Sequence, residues 1–476
     1  MKHGILAYLI LAIMLFPGCS FAPQYAKPKV ELPPEPLKAA DDAAMINIDW
    51  WKNYKDEMLN LLIKEALKNN DDLKLAVARL EEARARLGLS EANRYPIINA
   101  NAAALRQKTS DEVSPFTGST DNYFALSAAV AYELDLWGKI KNQREAALSA
   151  LLSTSASKEA LKLSLTANVA TIYFNLVSLD QQMQTTEDIL NRYKDIYEFR
   201  LKQYKHGILD EIVVQQAKAQ YDSVKILLEN LKEQDTVLKS TLAVLLGRTP
   251  NEIFSNRYLI ERKLPEPIAI PALLPSKLLE NRPDIVQAEE ALKAANFQIG
   301  VAKAAYFPSI SLTGTLGLQS LELDNLIQSS AGMWNIGGNL MAPILDFGRI
   351  KSNVKITEAQ QKEALIQYVK TVKTAFKEVY DALAKISTSR NKLKAQEEEL
   401  KALEKVLTLA NKKYEKGVTD YLTVLDAQRG YLSAALNLTS LQTEVINNQV
   451  VLYKALGGGW DRDYCPFRGM GEKPSS

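Results

Sequence analysis

The 476-residue chain holds only two histidines, at positions 3 and 206, and two cysteines, at 19 and 465. Metal centres, Cys-His nucleophilic pairs and histidine bases need more of these side chains than the sequence supplies, and it has neither a CxxC nor an HExxH spacing. P-loop and GxSxG motifs are missing too. Carboxylate groupings such as Asp71 with Asp72, or Glu397, Glu398 and Glu399, fall on helix ends or polar helix faces, where solvated charge accounts for them. The sequence therefore offers no catalytic constellation and no metal or cofactor site, and reads as a non-enzyme. A surplus of one charge sign is also absent. The formal net charge is +2, which argues against nucleic acid as a partner. Proline (18) and glycine (21) are few for this length, which leaves room for very long helices.

What the chain does have is a duplication. YPIINANAAA at Tyr95 answers to FPSISLTGTL at Phe307, DLWGKI at Asp135 to DFGRI at Asp346, and YKHGILDEIVVQQAKAQY at Tyr204 to YEKGVTDYLTVLDAQRGY at Tyr414. Gly138 and Gly348, Gly207 and Gly417, and Gly247 and Gly457 share one offset, 210 residues. That period is too long for a solenoid and marks two like structural halves.

Met1 to Cys19 carries a basic start at Lys2, an apolar run from Ile5 to Phe16 and LFPGC at the end, the pattern of a secretory signal peptide (1–18) whose run is too short to span a membrane. Cys19 stands where a bacterial lipoprotein carries its lipidated cysteine. Cys465 then lacks a partner, so no intramolecular disulfide is expected. Residues 20–45 are Pro-rich and aperiodic, and read as an extended tether. Helices are expected from about Asp56 to Asn93, ended by Pro96.

Beyond Pro96 the period changes to two. Phe124, Leu126, Val130, Tyr132 and Leu134 oppose Ser127, Ala129 and Glu133. In the second copy Ile310, Leu312, Leu316 and Leu318 oppose Ser309, Ser311, Thr313, Thr315 and Gln319, and Trp334, Ile336 and Leu340 oppose Asn335 and Asn339. Runs of about ten alternating residues are the length of a tilted strand crossing an outer membrane. A soluble β-sandwich with one wet face shows the same alternation; small polar residues opposite the apolar face and aromatics near the ends (Tyr123, Phe124, Trp334) favour the membrane. Four strands cannot close a barrel, so copies of the chain must share one, and three copies would give twelve strands.

After each strand pair comes a proline-free stretch of about 65 residues, or about 100 Å as helix, then a Gly turn and a return helix of about 40 residues. Helices of this length form rod-like hairpins that need neighbours; a coiled-coil spacer is the plainer reading. LPEPIAIPALLP, starting at Leu264, links the halves, and GGG at 457–459 reads as a helix C-cap, not a phosphate cradle.

This combination resembles the TolC-type outer membrane factors, in particular the OprM/NodT-like branch of outer membrane efflux lipoproteins. The resemblance covers essentially the whole chain, with CxxAPxYxxP starting at Cys19 and NRPD starting at Asn281 as its more specific signatures. It implies a mixed all-α plus transmembrane β-barrel fold: a homotrimer with a 12-strand barrel in the outer membrane and a 12-helix tunnel across the periplasm. The implied layout is a signal peptide (1–18), a lipidated tether (19–45), a first repeat (46–248, strands about 96–107 and 122–134), an equatorial linker (249–275), a second repeat (276–457, strands about 308–320 and 333–345) and an equatorial tail (458–476).

The function implied is a passive conduit in a tripartite efflux or export system, anchored by lipid on Cys19. A periplasmic adaptor and an inner membrane transporter of RND type would be its partners. Family members close their periplasmic end with polar links and rings of aspartates. Aligned on YEKGVTDYLTVLD, the inner aspartate position is Asp426, the position one turn earlier is Thr423, and the first-repeat position of a link-forming aspartate falls on Val213. One acidic ring is kept and some links are missing. The tips around Gly207, Ile208, Gly417 and Val418 would be where the adaptor docks. The reading of a different class is a non-conducting lipoprotein that bridges the periplasm; the polar face of four membrane-length strands discriminates against it.

Overall fold

The computed structural model describes residues 20–28, 30, 49–108, 110, 120–251, 263–268, 282–458 and 460. The signal segment, Cys19, Cys465 and most of the proposed linker and tail lie outside the described residues. After a 3₁₀ turn at Trp50–Tyr54 come α1 (Glu57–Asn69), α2 (Asp71–Ala92), β1 (Ile97–Lys108), β2 (Thr120–Leu134), α3 (Lys139–Lys205) and α4 (Glu211–Leu245). The second half contributes α5 (Pro283–Ala304), β3 (Ser309–Ser320), β4 (Gly332–Met341), α6 (Arg349–Glu415) and α7 (Tyr421–Ala455).

The two halves match closely. α3 and α6 each have 67 residues, and α4 and α7 each have 35. Local chemistry sets these limits. Asp135 accepts hydrogen bonds from the backbone N–H groups of Ile140 and Lys141 (3.0 and 2.7 Å), and Asp346 from those of Gly348 and Ile350 (3.0 and 2.8 Å), which caps α3 and α6 across left-handed glycines. At the far ends Ile208 N–H reaches Gln203 O at 3.0 Å and Val418 N–H reaches Lys413 O at 2.9 Å, around Gly207 (φ 69°) and Gly417 (φ 70°). These are Schellman turns, and the positive φ is why glycine stands there. Asp210 and Asp420 then cap the return helices.

The strands form one antiparallel sheet in the order β1-β2-β3-β4. Its register joins the apolar faces expected from the alternation: Leu126 opposite Leu318, Tyr132 opposite Leu312, Leu316 opposite Trp334, and Ile310 opposite Leu340. Asn101 with Ser127, and Thr315 with Asn335, line up on the other face. β4 stops at Met341 rather than continuing to 345, because Pro343 has no N–H for the ladder. The helical stretch from Asp56 to Asn93 is broken at Asn70, whose extended backbone (ψ 131°) starts α2 with its own side-chain cap on Leu73 N–H.

Near the sheet the helices lie in the order α2-α3-α5-α6, and farther from it α4-α3-α7-α6. Among the described residues one flank (β1, α2, α4) and the opposite flank (β4, α6) are open at every level. The largest core cluster joins Trp50, Tyr54, Leu59 and Ile63 to Tyr173 and Phe174 of α3, Leu242 of α4, and Ile446 and Val450 of α7.

Arg282 and Asp284 of NRPD belong to a joint that both halves repeat. Asn70, before α2, donates to Leu245 O near the end of α4 (3.0 Å), and Arg282, before α5, donates to Ala455 O at the end of α7 (2.7 Å). The equivalent places carry different chemistry. Arg282 is 7% exposed and also bonds Asp284 and Glu378. Burial opposes its charge, but the hydrogen bonds and charges of Asp284 and Glu378 outweigh it, and its pKa is raised.

Candidate channel and periplasmic gate

The hairpin tips hold the residues that the resemblance singles out. On α7, Tyr421, Val424, Leu425, Ala427 and Gln428 are buried, whereas Leu422, Thr423, Asp426 and Arg429 are exposed. Thr423 and Asp426, three residues apart, therefore share the helix face that no described residue covers. Thr423 has local partners. Its hydroxyl donates to Asp420 Oδ1 at 2.7 Å and is 3.0 Å from that of Thr419, while its N–H donates to the same carboxylate at 3.0 Å. The Thr423 hydroxyl first, then the backbone N–H, holds the Asp420 carboxyl below its ordinary range. Asp426 carries the acidic charge on this face.

Val213 packs with Ile196 and Tyr197 against the cluster of Tyr421, Val424, Leu425 and Ala427. At the position where the resemblance implies a link-forming aspartate, this chain makes an apolar contact between its two hairpins. Beside it stands Arg200 of α3, its guanidinium carbon 4.7 Å from the Tyr414 ring centre and 5.2 Å from that of Tyr421. Two turns farther up, Arg429 Nε donates to Gln220 Oε1 at 2.7 Å, joining α7 to α4. Burial pushes the neighbouring Tyr193 phenol well above its ordinary range.

Arg200 and the Arg429–Gln220 pair were not singled out by the sequence, although a signal existed. At the 210-residue offset Arg200 corresponds to Ala410, Gln220 to Gly430 and Arg429 to Ala219. Polar residues in one half matched by tiny ones in the other mark where the hairpins contact each other asymmetrically.

The expected docking residues are well displayed: Ile208 is 66% and Val418 70% exposed, flanked by exposed Ile212 and Leu422. Lys202 and Lys205 end α3, and Lys412 and Lys413 end α6, so each tip combines apolar side chains with cations at the negative helix end. Among the described residues no group of His, Cys, Asp and Glu could hold a metal ion.

The model of the outer membrane efflux protein family matches residues 62–248 and 274–458. The cation efflux system protein CusC of Escherichia coli is 34% identical over 455 residues, 94% of this chain and 96% of that protein. The solvent efflux pump outer membrane protein SrpC of Pseudomonas putida is 35% identical over 465 residues, 95% and 97% of the two chains. Among solved structures, the Campylobacter jejuni CmeC outer membrane channel superposes with a TM-score of 0.88 at 30% identity, covering 93% of this chain and 96% of that one. The duplicated strand-strand-helix-helix halves and the open-edged sheet are thus those of an outer membrane channel, and the chain belongs to the outer membrane efflux protein family.

Proposed function

We propose that three copies of this chain assemble into a passive duct that carries substrates from an inner membrane transporter of RND type, through a periplasmic adaptor, to the exterior. One observation carries this reading. The sheet and both helix layers are open on the same two flanks, so one rotation about a common axis can pair β4 with the next copy's β1 and α6 with its α2 and α4. Three copies would give twelve strands and twelve helices at each level. A wall lined by Asn101, Ser127, Thr315 and Asn335 suits a water-filled lumen, which a non-conducting bridge does not need. The CusC name refers to cations and the SrpC name to solvents; a wall of small polar residues accommodates either class. Purified trimers in planar bilayers should conduct; trimers that insert and stay silent would favour the bridging role.

Lipid on Cys19 is part of the same proposal, supported by LFPGC at the end of the signal run. Mass spectrometry of the mature N-terminus should find fatty acid there.

Asp426 is proposed as the periplasmic constriction. Three-fold symmetry would bring three carboxylates toward one axis, where they attract cations. Asp426→Ala channels should lose block by multivalent cations added from the periplasmic side and show lower cation selectivity. Unchanged block and selectivity would put Asp426 away from the axis.

The tips are proposed as the adaptor's docking surface. Ile208→Glu and Val418→Glu place a charge on an exposed apolar contact without touching the core, so folded trimers should persist while adaptor crosslinking falls sharply. Crosslinking at parental yield would remove the tips from the interface.

A further inference from the structure

The segment expected to be an extended tether is docked where it is described. Ser20 Oγ donates to Asn142 Oδ1 at 3.0 Å. The Phe21 ring lies on Phe307, with centroids 4.5 Å apart and planes 5° apart, and Phe307 stacks on Trp137 at 4.8 Å. Trp137 is itself fixed by its indole N–H, which donates to Pro308 O at 2.7 Å. Ala22 occupies the space that a side chain at Gly300 would need: a Cβ there would fall 2.8 Å from Ala22 N and 2.9 Å from Ala22 Cβ. Asn296 Nδ2 donates to Pro23 O at 2.6 Å. Tyr25 packs against the cluster of Ile285, Leu292 and Tyr368, with Lys293 Nζ 5.4 Å from its ring centre.

These contacts have a direction. Gly300, Asn296 and Lys293 recur at helical spacing on one stripe of α5, so residues 20 to 25 run along that stripe away from the sheet. They also join the halves. Trp137 and Asn142 belong to the first half, Phe307, Gly300 and Asn296 to the second, and Trp137 and Phe307 sit where β2 ends and β3 begins. A glycine inside a helix weakens it; at position 300 it opens the groove that the N-terminal backbone fills.

We propose that residues 20–25 are a strap that locks the seam between α3 and α5 at the rim of the sheet. In doing so it ties the lipidation site to the barrel, a clause that rests on the lipid reading of Cys19. An acyl anchor on a slack tether transmits nothing to the fold, whereas one that continues directly into this strap acts on the barrel's rim.

The test uses full-length trimers in native membranes. Gly300→Leu fills the groove, and Phe21→Ala removes the aromatic stack without altering any helix, so the second variant remains informative if the first fails to fold. Chymotrypsin cleavage after Tyr25 should accelerate by about tenfold or more in both, since cleavage follows the population of the released strap, and trimers should dissociate at a lower temperature. Cleavage at the parental rate in Phe21→Ala would overturn the strap, and faster cleavage with unchanged trimer melting would overturn its locking role. Cys19→Ser separates the two readings: Tyr25 should stay protected without the lipid, and loss of protection there would show that the acyl chain, not the groove, holds the segment.

Discussion

Arg282→Ala is expected to lower stability by about 3 kcal/mol, the low end of what removing one partner from a buried ion pair costs. The low end applies because the side chains of Asp284 and Glu378 are 36% and 44% exposed and can regain water. Arg282 itself is buried and does two jobs. It satisfies a carbonyl at the end of α7, and it binds carboxylates on α5 and α6, so its removal loosens three helices at one point. The equivalent Asn70→Ala loses a helix cap and one carbonyl bond, for about 1–2 kcal/mol. Arg282→Lys should recover little, because an ammonium cannot match the fork that spans Asp284 and Glu378. Heating purified trimers and following their loss should rank the variants parent, Asn70→Ala, Arg282→Ala. Equal melting for the two variants would mean that the ion pair adds nothing to the shared joint.

Arg200→Ala is expected to loosen the contact between the two hairpin tips of one chain. A guanidinium shared between two tyrosine rings in a half-buried site contributes about 1–2 kcal/mol, and a loss of that size raises the ratio of separated to docked hairpins about 5–30-fold. The apolar contact around Val213, Tyr421 and Leu425 remains, so the variant should fold. In bilayers it should show longer or more frequent high-conductance openings than the parent, with cation block at the proposed Asp426 ring retained. Lys202→Ala, an exposed charge two residues away, serves as the control and should behave as the parent. Identical gating in Arg200→Ala and parent would leave the apolar contact and the Arg429–Gln220 bond as the ties that matter at this end of the two hairpins.

These two residues show where sequence reading stopped. The duplication, the strand alternation and the ends of the long helices were legible because each depends on a few neighbouring residues. Gly207 and Gly417 turn the chain because only a residue without Cβ takes φ near 70° at no cost. Asp135 and Asp346 start α3 and α6 through bonds to N–H groups at most six residues on. The helices expected from Asp56 to Asn93 came without a place for the break, and the packing of α4's end against Asn70 fixes it there. The residues proposed for the gate were only partly legible. Asp426 could be aligned by its distance from the Gly turn, whereas Arg200 reaches Tyr414 and Tyr421 across more than two hundred residues.

The N-terminal segment makes the same distinction most sharply. SFAPQY has the composition of a tether, and composition determines only that it forms no helix or strand of its own. Whether it hangs free depends on a groove built by Asn142, Trp137, Phe307, Asn296 and the missing side chain of Gly300, residues drawn from both halves of the chain. Sequence alone determined the repeat, the periods and the turns, because caps, proline and glycine act through local backbone geometry. The tertiary structure decided which surfaces are covered, which charges are paired and which edges stay open, because those depend on how α5 and α7 pack between the two 67-residue helices.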